Sequence, residues 1–280
     1  MTDFILRITF DDPALEEQVA ARLFVSASTG STSTGDSISA YFDSAASRDE
    51  AAESLRDLDG VSLQFAERPR VDWLAHYQQS LEPLVIGSRF IVAPDASLLP
   101  RDSERFTIVV PQEQAFGTGS HETTWLCIEL LESLSFAGKR GLDVGSGSGI
   151  LALAMHRLGA AKVVAFDNDT DAYGALRDNR IRNEVPAEAM TLFIGSVEAL
   201  RGGAFDVITM NIIPEVIIPL LGDVVARMGH DARLVLSGIL LVKRDDVVSA
   251  AREHGLVLVE ERARGEWWAG VFRRAVTASV

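Results

Sequence analysis

Apolar and polar residues alternate from Phe4 to Phe10, then switch to helical spacing, with Leu15, Val19 and Leu23 on one face of a helix over Pro13–Phe24. A period of two lines one face of a strand, whereas recurrence at three and four residues lines one face of a helix. The same reading predicts a strand over Ile38–Phe42, a helix over Arg48–Leu58 and a strand over Val61–Phe65. Between the first helix and the next strand, Ser26–Asp36 is a Ser/Thr/Gly run without packing residues and predicts a mobile loop. Residues 1–68 therefore predict one small α+β domain with the order of a split β-α-β unit. They carry no cluster of catalytic groups. Trp73, Leu74, Tyr77 and Leu81 then recur at helical spacing up to Pro83, which predicts an amphipathic linker helix within residues 69–84.

The remaining chain, residues 85–280, predicts a second domain. Strands are expected at Ser88–Ala93 and Phe106–Val110. From there helix and strand alternate: helix Glu122–Ser135, strand Gly141–Val144, helix Gly149–Leu158, strand Lys162–Phe166, helix Asp171–Asn183 and strand Met190–Ile194. Strand Phe205–Met210, helix Glu215–Met228, strand Arg233–Ser237 and helix Lys243–His254 continue the pattern. Such alternation requires a mostly parallel sheet with helices on both faces. The chain closes with two consecutive strands, Leu256–Ala263 and Trp267–Phe272, which predict an antiparallel hairpin at the sheet edge.

Composition narrows the class. A hydrophobic fraction of 47% and a charged fraction of 24% over 280 residues are those of an ordinary globular protein with room for a sizeable core. No run approaches the ~18 apolar residues of a spanning helix, and the amino terminus does not read as a signal peptide, so no membrane association is expected. The lone cysteine, Cys127, excludes an intrachain disulfide and a cysteine-based metal cluster, and the expected compartment is the cytoplasm. A net charge of −14 argues against non-specific or direct sequence-specific binding to nucleic acid and suits a basic partner. The same acidity also serves solubility.

The densest chemical signal is Asp143-Val-Gly145-Ser-Gly147-Ser-Gly149-Ile-Leu, at a strand-to-helix junction. Glycines there let backbone approach a ligand, and the helix beyond offers unpaired N–H groups. The spacing is G-x-G-x-G, and Ile150 stands where the dinucleotide fingerprint takes its third glycine, which disfavours a nicotinamide oxidoreductase. The stretch resembles the cofactor loop of class I S-adenosylmethionine-dependent methyltransferases. Asp167 ends the next strand, where a carboxylate can accept both hydrogen bonds of a ribose diol; the competing reading is a helix cap, for which Asp169 and Thr170 are also placed. Ser196-Val-Glu198 lies where such folds contact adenine. Asn211-Ile212-Ile213-Pro214 ends the fourth core strand, so Asn211 faces the methyl donor unless it serves only as a turn residue before proline. Ile213 and Pro214 remove the aromatic platform used for planar nitrogen acceptors, so an sp³ amine fits better. His121 and Glu122 open a helix and read as capping or surface residues more readily than as acid, base or ligand. No metal spacing and no Ser/His/Asp or Cys/His arrangement is present, so no metal is expected.

Phe116-Gly-Thr-Gly-Ser-His-Glu-Thr-Thr124, the glycine loop, Asn211-Ile-Ile, Leu236-Ser-Gly-Ile-Leu240 and Gly265-Glu-Trp-Trp-Ala-Gly-Val-Phe-Arg-Arg274 follow one another in register. Together they resemble the PrmA family, methyltransferases of ribosomal protein L11, over most of residues 71–274. Departures are mild: Ser120-His-Glu122 stands for the usual Thr-His-Pro, and Ile213 for a leucine. The resemblance implies a ferredoxin-like substrate-recognition domain followed by a Rossmann-like class I methyltransferase domain, expected as a monomer. It implies S-adenosylmethionine as cofactor, S-adenosylhomocysteine as product, and lysine or N-terminal amines of ribosomal protein L11 as acceptors. The family's cofactor contacts carry over onto Thr124, Gly145, Asp167 and Asn211, with Gly147 admitting the methionine portion. The Asn211 side chain and the Ile212 carbonyl are expected to orient the amine. Two alternatives keep the same motifs: a paralogue acting on another protein or small amine, and a binding module without activity.

Overall fold

In the first unit, alternation and capping residues build a four-stranded sheet under two helices. The computed structural model describes residues 2–69, 82–100, 102–111, 121–200 and 203–276, and the chain divides into two units, Met1–Gln79 and Ser80–Val280. The order is β1 (Thr2–Phe10), α1 (Leu15–Phe24), β2 (Gly30–Thr34), β3 (Ser37–Phe42), α2 (Ala45–Glu53) and β4 (Val61–Pro69). The sheet runs β2-β3-β1-β4, with every neighbouring pair antiparallel, the ferredoxin-like β-α-β-β-α-β arrangement. Leu6, Ile8, Phe10, Ile38, Ala40 and Phe42 bury their side chains with Val19, Leu23 and Leu55.

The Ser26–Asp36 segment is not the loop its composition predicts. Its middle is β2, paired with β3 from Gly30↔Tyr41 to Thr34↔Ser37. All five β2 residues are exposed, so an edge strand wet on both faces shows no hydrophobic period. Gly35, at φ +63°, makes the two-residue turn into β3. Helix α2 begins at Ala45, three residues before the expected Arg48. The cause is Ser44, whose side chain accepts from the Ser47 N–H and caps the first turn.

The second unit contains β5 (Leu84–Ile86), β6 (Phe90–Ala93), β7 (Phe106–Val109), α3 (Glu122–Glu132), β8 (Arg140–Val144), α4 (Ile150–Arg157) and β9 (Lys162–Asp167). It continues with α5 (Thr170–Arg182), β10 (Met190–Ile194), β11 (Phe205–Asn211), α6 (Pro214–Arg227), β12 (Met228–Leu240), α7 (Arg244–Glu253), β13 (Leu256–Arg264) and β14 (Trp267–Arg274). Seven strands form one sheet in the order β10-β9-β8-β11-β12-β14-β13. The first five are mutually parallel, and β14 lies antiparallel to both β12 and β13. Strand side chains alternate between two cores: Val163, Ala165, Val207 and Val235 face α3 and α4, while Val164, Phe166, Ile208 and Leu236 face α6 and α7. Coverage of both faces is why these strands read as nearly continuous apolar runs. Strand order reverses between β8 and β11, which opens a crevice at the carboxyl ends of the strands.

Of the linker helix expected over 69–84, residues 70–81 lie outside the described residues. Pro69 still belongs to β4, and Leu84 already opens β5, a strand too short to carry a period. Strands β5, β6 and β7 form a small separate sheet. Asn183 fastens β7 to the body of this unit. Its Oδ1 accepts the Val109 N–H at 2.8 Å, and its Nδ2 donates to the Val109 and Asn179 carbonyls at 2.7 and 2.8 Å. The side chain is 3% exposed, so its removal leaves buried backbone groups without partners. Asn183→Ala should therefore lower unfolding free energy by about 2–3 kcal/mol. Denaturant titration measures this, and an unchanged midpoint would show that β7 is held otherwise.

Candidate active site

At the end of β8 the chain must turn sharply into α4, and three of the five residues that do so, Gly145 (φ +68°), Gly147 (φ +50°) and Gly149 (φ +81°), are left-handed. Only glycine takes this conformation without strain. Gly145 is also bare for contact: a Cβ there would sit 2.8 Å from Cγ2 of Ile212. The loop is tied to the end of β9 by three hydrogen bonds. The Gly145 and Ser146 N–H groups donate to the Phe166 carbonyl at 3.1 and 3.0 Å, and the Gly147 N–H donates to Oδ2 of Asp167 at 2.8 Å.

Asp167 ends β9 half-buried, and its Oδ1 accepts the Asp169 N–H at 3.1 Å. The capping of α5 is done by Asp169, which accepts from the Asp171 N–H. Each Asp167 oxygen thus has one backbone donor and remaining lone pairs for a ligand. Asn211 ends β11, and Ile213 is the N-cap of α6 with Pro214 at the first helical position. Oδ1 of Asn211 is buried without a hydrogen-bond partner. The backbone of Ile212 presses against Gly238, where a Cβ would lie 2.5 Å from the Ile212 carbonyl oxygen.

These residues enclose a cleft of about 470 Å³ lined by Gly145, Asp167, Asn168, Asn211, Ile212 and Gly238 together with apolar Val144, Phe166, Val197, Ile213, Val216 and Leu220. Mostly apolar walls with a few directed polar groups are those of a small-molecule site. Ser196 and Val197, singled out in the sequence, also line it, and the Ser196 hydroxyl donates to Glu198. Two of the sequence-selected residues do not reach the lining. Gly147 gives its N–H to Asp167, and Thr124 sits one residue past the lining residue Thr123, its hydroxyl buried without a partner. The Phe116–Ser120 part of the preceding motif lies outside the described residues.

Sequence reasoning missed one wall of the cleft. His121 and Trp267 both line it, their rings edge to face with centroids 4.9 Å apart. Trp267 opens β14, between β12 and β13, and carries no spacing signal of its own. Phe166, stacked on Phe193 at 4.9 Å, was visible only as an apolar strand residue. His121 caps α3 through Nδ1, which accepts the Thr123 N–H at 3.3 Å. Among the described residues no group of three His, Cys, Asp or Glu side chains is placed to hold a metal.

Asp143, under the loop, is 1% exposed. It accepts from the Thr209 hydroxyl at 2.6 Å and the Ala152 N–H at 3.2 Å. Burial pushes its carboxyl up to about 7, against the lowering effect of those two bonds, and the charge of Asp167 pushes the same way. A carboxyl whose folded pKa exceeds its unfolded one contributes stability below the unfolded value, near 3.9, and loses that contribution as pH rises through about 7. Asp143→Asn keeps the shape and removes the titration. The variant should retain stability from pH 5 to pH 8 better than the parent, read as the difference in melting temperature. Parallel curves would refute the shifted carboxyl.

The family model described as ribosomal protein L11 methyltransferase (PrmA) matches residues 7–275. A ribosomal protein L11 methyltransferase of Geobacter metallireducens is 37% identical over 196 residues, 70% of this chain and 64% of that protein. One of Geobacter sulfurreducens is 38% identical over 72% of this chain and 66% of its own length, so the match spans a little under two thirds of each relative. A crystal structure of the ribosomal protein L11 methylase of Lactobacillus delbrueckii subsp. bulgaricus superposes with a TM-score of 0.64 at 25% identity, over 70% of this chain and 100% of that one. A match over nearly the whole chain, joined to the cleft at the carboxyl ends of a β10-β9-β8-β11-β12-β14-β13 sheet, places this protein in the PrmA family.

Proposed function

We propose that the chain is a protein N-methyltransferase that uses S-adenosylmethionine to methylate lysine or N-terminal amines of ribosomal protein L11. The observation that carries this reading is the orphaned Oδ1 of Asn211, buried at a mostly apolar cleft that the backbone-bonded Asp167 carboxylate also lines. A buried acceptor without a donor is costly unless a ligand supplies one. S-adenosylmethionine, when bound, supplies an electrophilic methyl group and leaves as S-adenosylhomocysteine. Asp167 would accept the ribose hydroxyls, Phe166 and Val197 would line the side taken by the adenine, and bare Gly145 would admit the methionine portion.

The chain's residues prepare the acceptor. A lysine amine has a pKa of about 10.4 and must be neutral to attack. Apolar walls of Ile212, Ile213 and Val216 favour the neutral form by withholding water. Asn211 is suited to the next task because it is uncharged: its oxygen accepts an N–H of the amine without stabilising the ammonium as a carboxylate would. With the Ile212 carbonyl, held by its contact with Gly238, it fixes the direction of the nitrogen lone pair. Alignment of this kind is the main catalytic contribution the site has to make.

The N-terminal ferredoxin-like unit serves as the substrate-recognition domain in this reading, and the protein acts as a monomer in the cytoplasm. Among the described residues no helix is long and apolar enough to cross a membrane.

Incubation with isotopically labelled S-adenosylmethionine and ribosomal protein L11 should place label on lysine or the amino-terminal nitrogen, mapped by mass spectrometry. Cofactor binding without transfer would move the substrate elsewhere. Asp167→Ala should weaken cofactor affinity roughly 10- to 100-fold by removing charged hydrogen bonds. Calorimetry reads this directly, and an unchanged Kd would overturn the ribose assignment.

A further inference from the structure

A second pocket lies at the end of the sheet away from the cleft. Strand β12 enters there, with Arg233 about five residues before the cleft residue Gly238, roughly 16 Å along the strand. The pocket measures about 410 Å³ and is lined by His230, Asp231, Arg233, Arg273 and Arg274 with Ala275 and Val276. Three arginines line this pocket in a protein whose 40 acidic residues outnumber 26 basic ones, Arg233 and Arg273 on one face of the sheet and Arg274 on the other.

Their placement is dictated by register. Leu234 pairs with Phe272 across β12 and β14, so one step outward Arg233 and Arg273 come side by side on neighbouring strands. Like charges in that relation are destabilising unless something screens them. Among the described residues none of the three arginines is in an ion pair. The carboxylate of Asp231 is 94% exposed and is held by the His230 ring at 2.9 Å.

Each guanidinium is instead fixed through one nitrogen by backbone carbonyls. Arg274 Nη2 donates to the Val225 and Met228 carbonyls at 2.6 and 3.2 Å, at the carboxyl end of α6. Arg233 Nη1 donates to the Asp231 and Ala232 carbonyls at 2.8 and 3.2 Å, and Arg273 Nη1 to the Arg274 carbonyl at 3.0 Å. The other guanidinium nitrogens have no partner among the described residues. Anchoring by one nitrogen removes much of the rotamer entropy that ligand binding would otherwise have to overcome.

We propose that this pocket is a binding site for phosphoryl oxyanions. Arg233 and Arg273 present two anchored forks side by side, which match the oxygens and multiple charge of a phosphoryl group better than those of a single carboxylate. Pyrophosphate and the phosphodiesters of a nucleic-acid strand share this chemistry. The overall charge of −14 opposes general adhesion to nucleic acid, so any such contact is confined to this local group.

The test is calorimetry on the full chain with pyrophosphate and, separately, with a short single-stranded RNA, comparing parent, R233Q/R273Q and R233K/R273K. Arg274 is left intact because it ties α6 to the sheet. Pyrophosphate should bind the parent and weaken about tenfold or more in the glutamine variant. The lysine variant should recover part of the loss, and methyl-donor affinity should stay unchanged in both as proof of folding. RNA binding lost in the same variant, and declining with salt, assigns the site to a strand backbone; pyrophosphate binding alone assigns it to a small phosphate. Failure of both ligands to bind the parent, equal binding by the glutamine variant, or capture of poly-glutamate in place of phosphate overturns the proposal.

Discussion

The hydrogen bond from the Gly147 N–H to the Asp167 carboxylate, with its two neighbours onto the Phe166 carbonyl, is the constraint on which the site depends. It joins the loop after one strand to the end of the next. It can form only because Gly145, Gly147 and Gly149 all adopt left-handed backbone within five residues. Side chains there would be strained, and two of them would also collide, with Ile212 and with Leu176. The turn therefore does more than admit a ligand. It sets the position of the Asp167 oxygens, closes Ile212 over the loop, and starts α4 at Ile150 where the buried Asp143 can receive the Ala152 N–H.

The parallel core was legible because the helices on both faces force its strands to be apolar and its helices amphipathic, so β8 to β11 lie within a residue or so of their expected bounds. Legibility failed where packing imposes no period. Strand β2 is exposed on both faces, β5 is three residues long, and β12 extends back to Met228 through polar Gly229, His230 and Asp231. The site divides in the same way. Asp167 and Asn211 sit at strand ends, where fold logic locates ligands, and the structure brings both to one cleft. Trp267, Gly238 and His121 come to that cleft from elements far apart in sequence, and only the assembled sheet reveals them as one wall. Gly147 shows a further limit. A glycine motif announces a close approach without saying to what, and here the N–H is used by Asp167 rather than by the lining.

The cleft separates chemical roles by polarity. Its carboxylate, Asp167, belongs to a rim held by backbone donors, while the group at the end of β11 is an uncharged amide. In the proposed reaction, exchanging the two would place a negative charge beside the acceptor amine and favour its protonated, unreactive form. The apolar neighbours of Asn211 act in the same sense, since each contact with Ile212, Ile213 or Val216 takes the place of water that would solvate an ammonium.

Two carboxyls flank the glycine loop, and burial sets one of them, Asp143, apart. Asp143 has lost its water, and its two hydrogen bonds do not make up for the desolvation, so its affinity for a proton rises to the neighbourhood of neutrality. The Thr209 hydroxyl lies 2.6 Å from Asp143 and 3.3 Å from the Leu142 carbonyl. When Asp143 carries a proton it can donate to that hydroxyl, which passes its own hydrogen to the carbonyl, and no buried group is left unsatisfied. Asp167 keeps backbone donors on both oxygens and partial access to water. Since the charge of Asp167 itself raises the pKa of Asp143, protonation of the buried partner relieves the repulsion and leaves the negative charge on the carboxyl that faces the cleft. One short loop thereby assigns a structural duty to the neutral acid beneath it and the ligand-facing duty to the charged acid beside it.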